Sequence, residues 1–307
     1  MNVNYDSQYH RPVMLEECIE GLAIKPDGVY VDVTFGGGGH SRAILDALGE
    51  NGTLIAFDQD PFAQKNIPDD SRIKFVPQNF EFLQEYIRFL GFDQVDGLLA
   101  DFGVSSFQFD EGERGFSLRF DGPLDMRMNP NKGQSALEFI TDTTWQELSN
   151  VLRTFGEIQN PKNIAIAMKQ AAEEGVIDTT NNLVHFLQDK KLVPFKGQKQ
   201  FLAQIFQALR MEVNREVEVI EKMLTSLDKV IAKDGRIVFL SYHSLEDRLV
   251  KNYLKTGNVK GEVIKDFYGN LERSFKPLHS KPVMASAEEI EHNPRSRSAK
   301  LRRGVRL

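Results

Sequence analysis

The sequence predicts a doubly wound α/β fold, a Rossmann-like parallel sheet interrupted by a small all-α inserted domain. Three observations lead there. Short β-branched runs alternate with helical runs through the first hundred residues, the alternation then stops for more than a hundred residues that read as helix only, and one further apolar strand run, Arg236 to Leu240, follows the gap. Strands that alternate with helices belong to parallel sheets covered on both faces.

Taken in order, Val29 to Val33, Thr53 to Phe57, Ile73 to Val76 and Val95 to Ala100 read as buried parallel strands. Ser41 to Leu48, with Ile44, Leu45 and Leu48 on one face and Gly49 behind it, reads as the first intervening helix, and Phe80 to Leu90, carrying Leu83, Ile87 and Leu90, as another. In the gap, helices are expected at Ala136 to Ile140, Thr144 to Thr154, Pro161 to Glu174, Asn181 to Leu187 and Gln200 to Glu212. Thr144 followed by Glu147 has capping-box spacing, and Asn160-Pro161 can open the helix that Gly175 closes. Val213, Val217, Ile220, Leu224, Leu227 and Ile231 mark an amphipathic helix returning to the sheet and ending at Gly235. Residues 1–110 and 208–307 are therefore assigned to the sheet domain and 135–207 to the helical insert. Phe102 to Gln134 shows neither periodicity but holds five phenylalanines, too many for a plain linker. Its segment 111–134 is expected to be an ordered active-site loop.

A chain of 307 residues with 41% hydrophobic and 27% charged residues can bury a substantial core, which excludes disorder. The longest apolar stretches fall far short of the roughly 18 residues a membrane span needs, and the first residues have no apolar signal core. Cys18 is the single cysteine, so no intrachain disulfide and no cysteine-based zinc site can form. No paired-histidine zinc motif is present either, so no metal is expected. A reducing cytoplasm fits. The net charge of -6 is unevenly spread: from Arg273 onward nine Lys or Arg face three Glu, and Arg295 to Leu307 holds six cations and no acid. Such a tail is either a solvated end or a track for nucleic-acid phosphates.

The sharpest local feature is Val31-Asp32-Val33-Thr34-Phe35-Gly36-Gly37-Gly38-Gly39-His40, a strand running through four glycines into a helix. Glycines there let the backbone approach a ligand that a Cβ would displace. It is not a full dinucleotide fingerprint, because Ser41 stands where the third glycine would be, and no Gly-Lys-Ser/Thr phosphate loop follows. Asp58 closes the second strand and can accept both ribose hydroxyls of an adenosine cofactor, which leaves NAD and S-adenosylmethionine open. Asp60 reads as a turn residue with Pro61. Asp101 ends the fourth strand, at the carboxyl edge where such sheets bind ligands. A dehydrogenase would want a His or Lys there, and a hydrolase would surround Ser105 or Ser106 with a nucleophile elbow; neither pattern occurs.

Long motifs then carry a resemblance. His10-Arg11-Pro12-Val13-Met14, Thr34 to His40, Asp101 to Ser106, Glu113 to Ser117, Asp121 to Met128, Ser241 to Arg248 and Arg297 to Arg302 together make the chain similar, over nearly its whole length, to the bacterial RsmH (MraW) family. The resemblance implies a class I S-adenosylmethionine-dependent methyltransferase sheet with a helical substrate-recognition insert, acting on the N4 amine of a cytosine, cytosine 1402, in 16S rRNA of the small subunit. It implies that Gly38, Gly39 and His40 contact the methionine end of the cofactor, Asp58 the ribose and Phe80 the adenine region, with Asp101 and Gln108 completing the set. Phe80 by itself would read as a core aromatic. Two positions depart from the pattern: Thr34 stands where methyltransferases often carry a first glycine, and Phe107 where this family commonly has proline.

Methyl transfer from a sulfonium mainly needs alignment, and the cytosine amine needs acceptors for its hydrogens. Asp101 and the oxygens around Ser105 and Ser106 are the candidate catalytic groups. A base must leave its stack to reach such a pocket, so aromatic or guanidinium planes are expected beside it. Arg114 and Phe116 in the loop, and Tyr242 and His243 after the fifth strand, are the candidate substrate contacts, with a structural histidine an equal reading for His243. The expected partner is 16S rRNA, within the 30S subunit, with the basic tail along its phosphates.

Overall fold

The computed structural model describes residues 12–307, so His10 and Arg11 of the first family motif lie outside the described residues. An eight-stranded sheet forms from β1 (Val29–Asp32), β2 (Thr53–Phe57), β3 (Ile73–Val76), β4 (Val95–Asp101), β5 (Ile231–Ser241), β6 (Phe275–Pro277), β7 (Val283–Met284) and β8 (Lys300–Arg306). Its order is β3-β2-β1-β4-β5-β8-β6, with β7 also pairing β8. The first five strands in that order are parallel, whereas β8 runs antiparallel to both β5 and β6.

Both faces of the sheet are covered, and the period of two in a strand sorts the residues between them. Val31, Ile55, Leu98, Ile237 and Phe239 enter one core cluster, with Leu83, Ile87, Leu224, Leu227, Leu249 and Val250 from helices. Their neighbours Tyr30, Leu54, Leu99, Val238 and Leu240 enter the other, against Cys18 and Leu22 of helix Leu15–Leu22 and Ile44 and Leu45 of helix Gly39–Ala47. This is why the strands read as continuous apolar runs rather than as alternating ones. Helix Leu15–Leu22 carries no sequence signal that singled it out: its N-cap, Met14, makes no side-chain cap.

The contacts divide the chain into residues 1–103 with 217–307, and residues 104–216. The insert is therefore larger than its periodicity suggested. The segment 111–134, expected as a loop of its own, contributes Phe116, Leu124 and Met126 to the core of the helical unit. Likewise helix Gln198–Val213 belongs to that unit to its end rather than to the sheet from residue 208. Within this unit the expected helices are found at Ala136–Asp142, Trp145–Thr154, Lys162–Glu173, Thr180–Asp189 and Gln198–Val213. Thr144 and Glu147 cap one another as their spacing indicated, and Ser135 with Glu138 does the same one helix earlier.

Two expectations are corrected at the end of the chain. The helix after the insert, Glu216–Val230, gives way at once to β5, whose first residues Ile231 to Gly235 form an irregular start with a register shift against β4. The basic terminus is not a tail. Arg295 and Arg297 stand exposed in the 3-10 turn Pro294–Ser298, and the rest is β8, with Leu301, Arg303, Gly304 and Val305 buried between its neighbours. Its cations are held by the fold. Arg302 donates to the Asp247 carboxylate at 2.6 Å, Arg303 to the Glu17 carbonyl at 2.6 Å and Glu20 at 3.0 Å, and Arg306 to the Ile231 carbonyl. Cations so committed are not available to track phosphates, which removes most of the terminus from the expected RNA contact. Among the described residues no helix is long and apolar enough to cross a membrane.

Candidate active site

The carboxyl ends of β1, β2, β4 and β5 gather the polar groups of the sheet unit. After β1 the chain turns through Gly36 and Gly38, both with positive φ, before helix Gly39–Ala47 begins. The glycines serve two different needs. A Cβ at Gly38 would meet the Phe35 ring at 2.8 Å and one at Gly39 would strike Pro12 at 2.3 Å, so these two are demanded by the protein's own packing. Among the described residues, a Cβ at Gly37 meets no atom within 4 Å, so there the turn borders open space. Ligand approach thus explains fewer of the four glycines than the sequence suggested.

Asp32, at the tip of β1, is fully buried; its carboxylate accepts from the Ser41 hydroxyl at 2.7 Å and from the Thr34 N–H at 3.0 Å. It thereby ties the first turn of the helix to the strand. Burial raises its pKa despite those bonds and the nearby His40. Thr34 then links strands: its hydroxyl oxygen accepts from the Asp101 N–H at 2.7 Å. The residue standing in for a first glycine is thus a bridge between β1 and β4. No local pattern announced these links, because each joins residues distant in sequence or looks like ordinary loop polarity.

Asp58, at the end of β2, is oriented by two backbone donors, Gly36 N–H to Oδ2 at 2.7 Å and Asp60 N–H to Oδ1 at 2.8 Å. Each oxygen keeps a further lone pair, so two hydroxyls can still be accepted. Burial pushes this carboxyl up to about 7, against the lowering effect of the Asp60 and Gly36 bonds. Asp60 caps the short 3-10 turn Pro61–Asn66 through a bond from Phe62 N–H, as a turn residue should. Phe80 opens the 3-10 turn Phe80–Phe82, half-buried against the sheet core, its ring 6.3 Å from that of Phe102. Beside it Asn79 donates to the side-chain oxygen of Gln59 at 3.0 Å, a polar pair that sequence reasoning did not single out.

Asp101 ends β4 opposite Leu240 of β5, and that register delivers Tyr242 to it: the Tyr242 hydroxyl donates to Asp101 Oδ1 at 2.7 Å. On the other side, His40 Nδ1 lies 3.8 Å from Asp101 Oδ2. A backbone carbonyl only accepts, so the His40 Nε2 that meets the Val13 carbonyl at 3.1 Å carries a hydrogen and leaves Nδ1 facing the carboxylate. Burial raises the Asp101 pKa, opposed by His40 and by the Tyr242 bond and reinforced by Asp32. The Tyr242 phenol is pushed well up by burial and by the Asp101 charge, so it stays a donor. Cys18 is buried, and its thiol is pushed up by burial and then by Asp101, which keeps it unreactive.

The other expected contacts have structural occupations. His243 is the N-cap of helix Ser244–Thr256, its Nδ1 accepting from Leu245 N–H while Glu246 reaches back to the backbone N–H of both Tyr242 and His243. In the helical unit Ser105 and Gln108 form a reciprocal capping box, with Ser106 as the first residue of helix Ser106–Asp110. Arg114 is buried and donates to the carbonyls of Arg127 and Met128 at 3.0 and 2.9 Å, and Phe116 lies in the apolar core of that unit. Neither presents a plane on which a base could stack in this arrangement, contrary to the expectation for a loop.

A parallel sheet in this order, with an antiparallel strand slotted beside the fifth, a glycine turn after the first strand and an acid closing the second, is the frame of the class I methyltransferases. Comparison with known proteins narrows the class: the chain belongs to the MraW methylase family, which it matches over residues 7–306. Among curated relatives, the ribosomal RNA small subunit methyltransferase H of Parabacteroides distasonis is 50% identical over 301 residues, 97% of each chain. The proteins of that name from Bacteroides thetaiotaomicron and Flavobacterium johnsoniae are 48% and 47% identical, each over 96% of this chain and 96% and 97% of their own.

Proposed function

We propose that this chain transfers the methyl group of S-adenosylmethionine to the N4 amine of a cytosine in 16S rRNA, cytosine 1402 by family resemblance, within the small subunit in the cytoplasm. The observation that carries the reading is the Asp101 carboxylate, held at the tip of β4 between Tyr242 and His40 beside the glycine turn. The residues suit the cofactor on physical grounds: the open space at Gly37 leaves room for a ligand against the turn, and Asp58 offers two oriented oxygens to a pair of ribose hydroxyls. When bound, S-adenosylmethionine supplies a methyl group already activated by its sulfonium.

In this reading Gly38, Gly39 and His40 border the methionine end, Asp58 holds the ribose and Phe80 lies along the adenine. Asp101 accepts a hydrogen of the cytosine amine and, with its raised pKa, takes the proton that must leave nitrogen once the new bond forms. The Tyr242 hydrogen bond fixes the carboxylate so that it need not reorganise during the reaction. For Ser105, Ser106, Gln108, Arg114 and Phe116, all in the helical unit, a role toward cofactor or substrate rests on the family resemblance, as does contact of His243 with RNA.

Calorimetric titration of the purified chain with S-adenosylmethionine, followed by mass-spectrometric mapping of 16S rRNA from subunits incubated with both, tests this. Binding and a single N4-methylcytidine are expected. Native protein that gives no heat with the donor, or a methyl group mapped to another atom, would overturn it.

A further inference from the structure

Exposed aromatic rings and lysines without carboxylate partners lie together elsewhere in the sheet unit. Between helix Ser244–Thr256 and β6 the chain makes a hairpin whose strands meet at Lys265 and Leu271. Asp266 ties its tip, accepting from the N–H groups of Tyr268 and Asn270 at 2.9 and 2.8 Å and from the Asn270 amide at 3.1 Å. On this braced turn stand Phe267, 97% exposed, and Tyr268, 85% exposed, edge to face with centroids 5.6 Å apart. A tied turn that holds two aromatic rings in water presents flat apolar surface to something outside the chain.

The base of the hairpin leads to a cleft of cations. Arg273 donates to the Lys255 carbonyl at 3.3 Å, and Lys255, Lys251, His279 and Lys281 line a shallow recess. Among the described residues none of these three lysine ammonium groups has a carboxylate partner, whereas Arg302 on the same wall is held by Asp247. Residues 251–281 carry seven Lys or Arg against three Asp or Glu in a chain whose net charge is -6. The local excess is positive where the whole is negative. Exposed rings beside unneutralised ammonium groups are the combination by which single strands are held, bases on the rings and phosphates on the cations.

We infer that this hairpin and the cleft at its base form a docking surface for single-stranded RNA, with unstacked bases on Phe267 and Tyr268 and a backbone phosphate among Lys251, Lys255 and Lys281. The inference rests on the reading of the chain as an RNA methyltransferase and adds where the substrate is gripped outside the reaction centre. A second copy of the chain is the competing occupant, and the charge favours RNA over it, because a symmetric pairing of two copies would set the same positive patch of each against the other.

Full-length Phe267→Ala/Tyr268→Ala and Lys251→Ala/Lys281→Ala proteins test it, since all four side chains are surface groups whose loss leaves the core intact. Two readouts are taken: anisotropy of a fluorescein-labelled oligouridine strand, and KM against kcat for methylation of unmodified small subunits. The ring variant is expected to weaken oligouridine binding roughly 5- to 150-fold per base lost and to raise KM with kcat and donor affinity unchanged. A Phe267→Trp protein, which restores a plane, should bind as the parent does. The lysine variant should flatten the salt dependence of binding by about 0.7 log units per decade for each phosphate contact removed. Parental anisotropy in both variants would overturn the inference whatever the turnover, and so would a change confined to self-association in sedimentation. A parent protein that binds the donor and oligouridine yet methylates no subunit would instead overturn the functional reading.

Discussion

Buried polar groups in the helical unit and at the tips of the sheet are satisfied in opposite ways. In the helical unit the charged ones meet partners of opposite sense supplied by the fold: Arg114 spends its donors on two carbonyls, and Arg210 makes a two-pronged ion pair with buried Glu216 at 2.7 and 2.9 Å. At the sheet tips three carboxylates, Asp32, Asp58 and Asp101, are all raised by burial, and the one basic side chain near Asp101 stands at 3.8 Å. The first arrangement stabilises the unit; the second keeps acceptors in place at some expense in stability. Charge held without a matching counter-charge is what the proposed reading needs at this place, where a cationic ligand and a proton would be received.

The contrast can be broken by substitution. Asp101→Ala is expected to lower kcat for methyl transfer by about 10² to 10⁴, the range for a lost proton acceptor, while thermal unfolding moves little or upward because a buried like charge is gone. Turnover within a few-fold of the parent would erase the distinction between the two regions. Arg210→Ala should do the reverse, destabilising by about 3–5 kcal/mol because Glu216 is left buried without its partner, as read from urea midpoints, with donor binding unchanged. A loss of stability below about 1 kcal/mol would mean that this pair behaves like a surface one.

The smallest effect concerns pH. A carboxyl whose folded pKa is raised to about 7 weakens the native state progressively as pH climbs from its unfolded value, near 3.9, to 7, and adds no further loss above that. Asp58→Asn should therefore flatten the stability profile in that window. Because ribose hydroxyls are accepted best by the ionised form, affinity of the parent for S-adenosylmethionine should fall about fivefold from pH 7 to pH 6, with proton release on binding seen in calorimetry across buffers. A flat affinity between pH 6 and 8 would remove Asp58 from that role.

What could be read in advance follows from how local each signal is. The strand, glycine turn and helix from Val29 to Ala47 lie within one stretch, and their apolar runs and punctuation are enough. The Thr144 capping box is local for the same reason. Tyr242 meets Asp101 across 141 residues only through the β4–β5 register, so the sequence could place both on one edge but not in contact. Phe116 and Arg114 misled because a stretch without periodicity reads as loop even when its side chains pack inward. β8 was hidden by composition: Lys300, Arg302, Arg303 and Arg306 look like a solvated tail until Asp247, Glu20 and the Glu17 and Ile231 carbonyls are brought against them.

The place of β8 bears on synthesis. β5 and β6 both wait for a strand that leaves the ribosome after them, so the sheet stays unfinished until residue 306 has emerged. A nascent chain halted before residue 300 leaves one side of β5 unpaired, an open edge that invites aggregation. Synthesis must therefore reach residue 306 before this sheet can close.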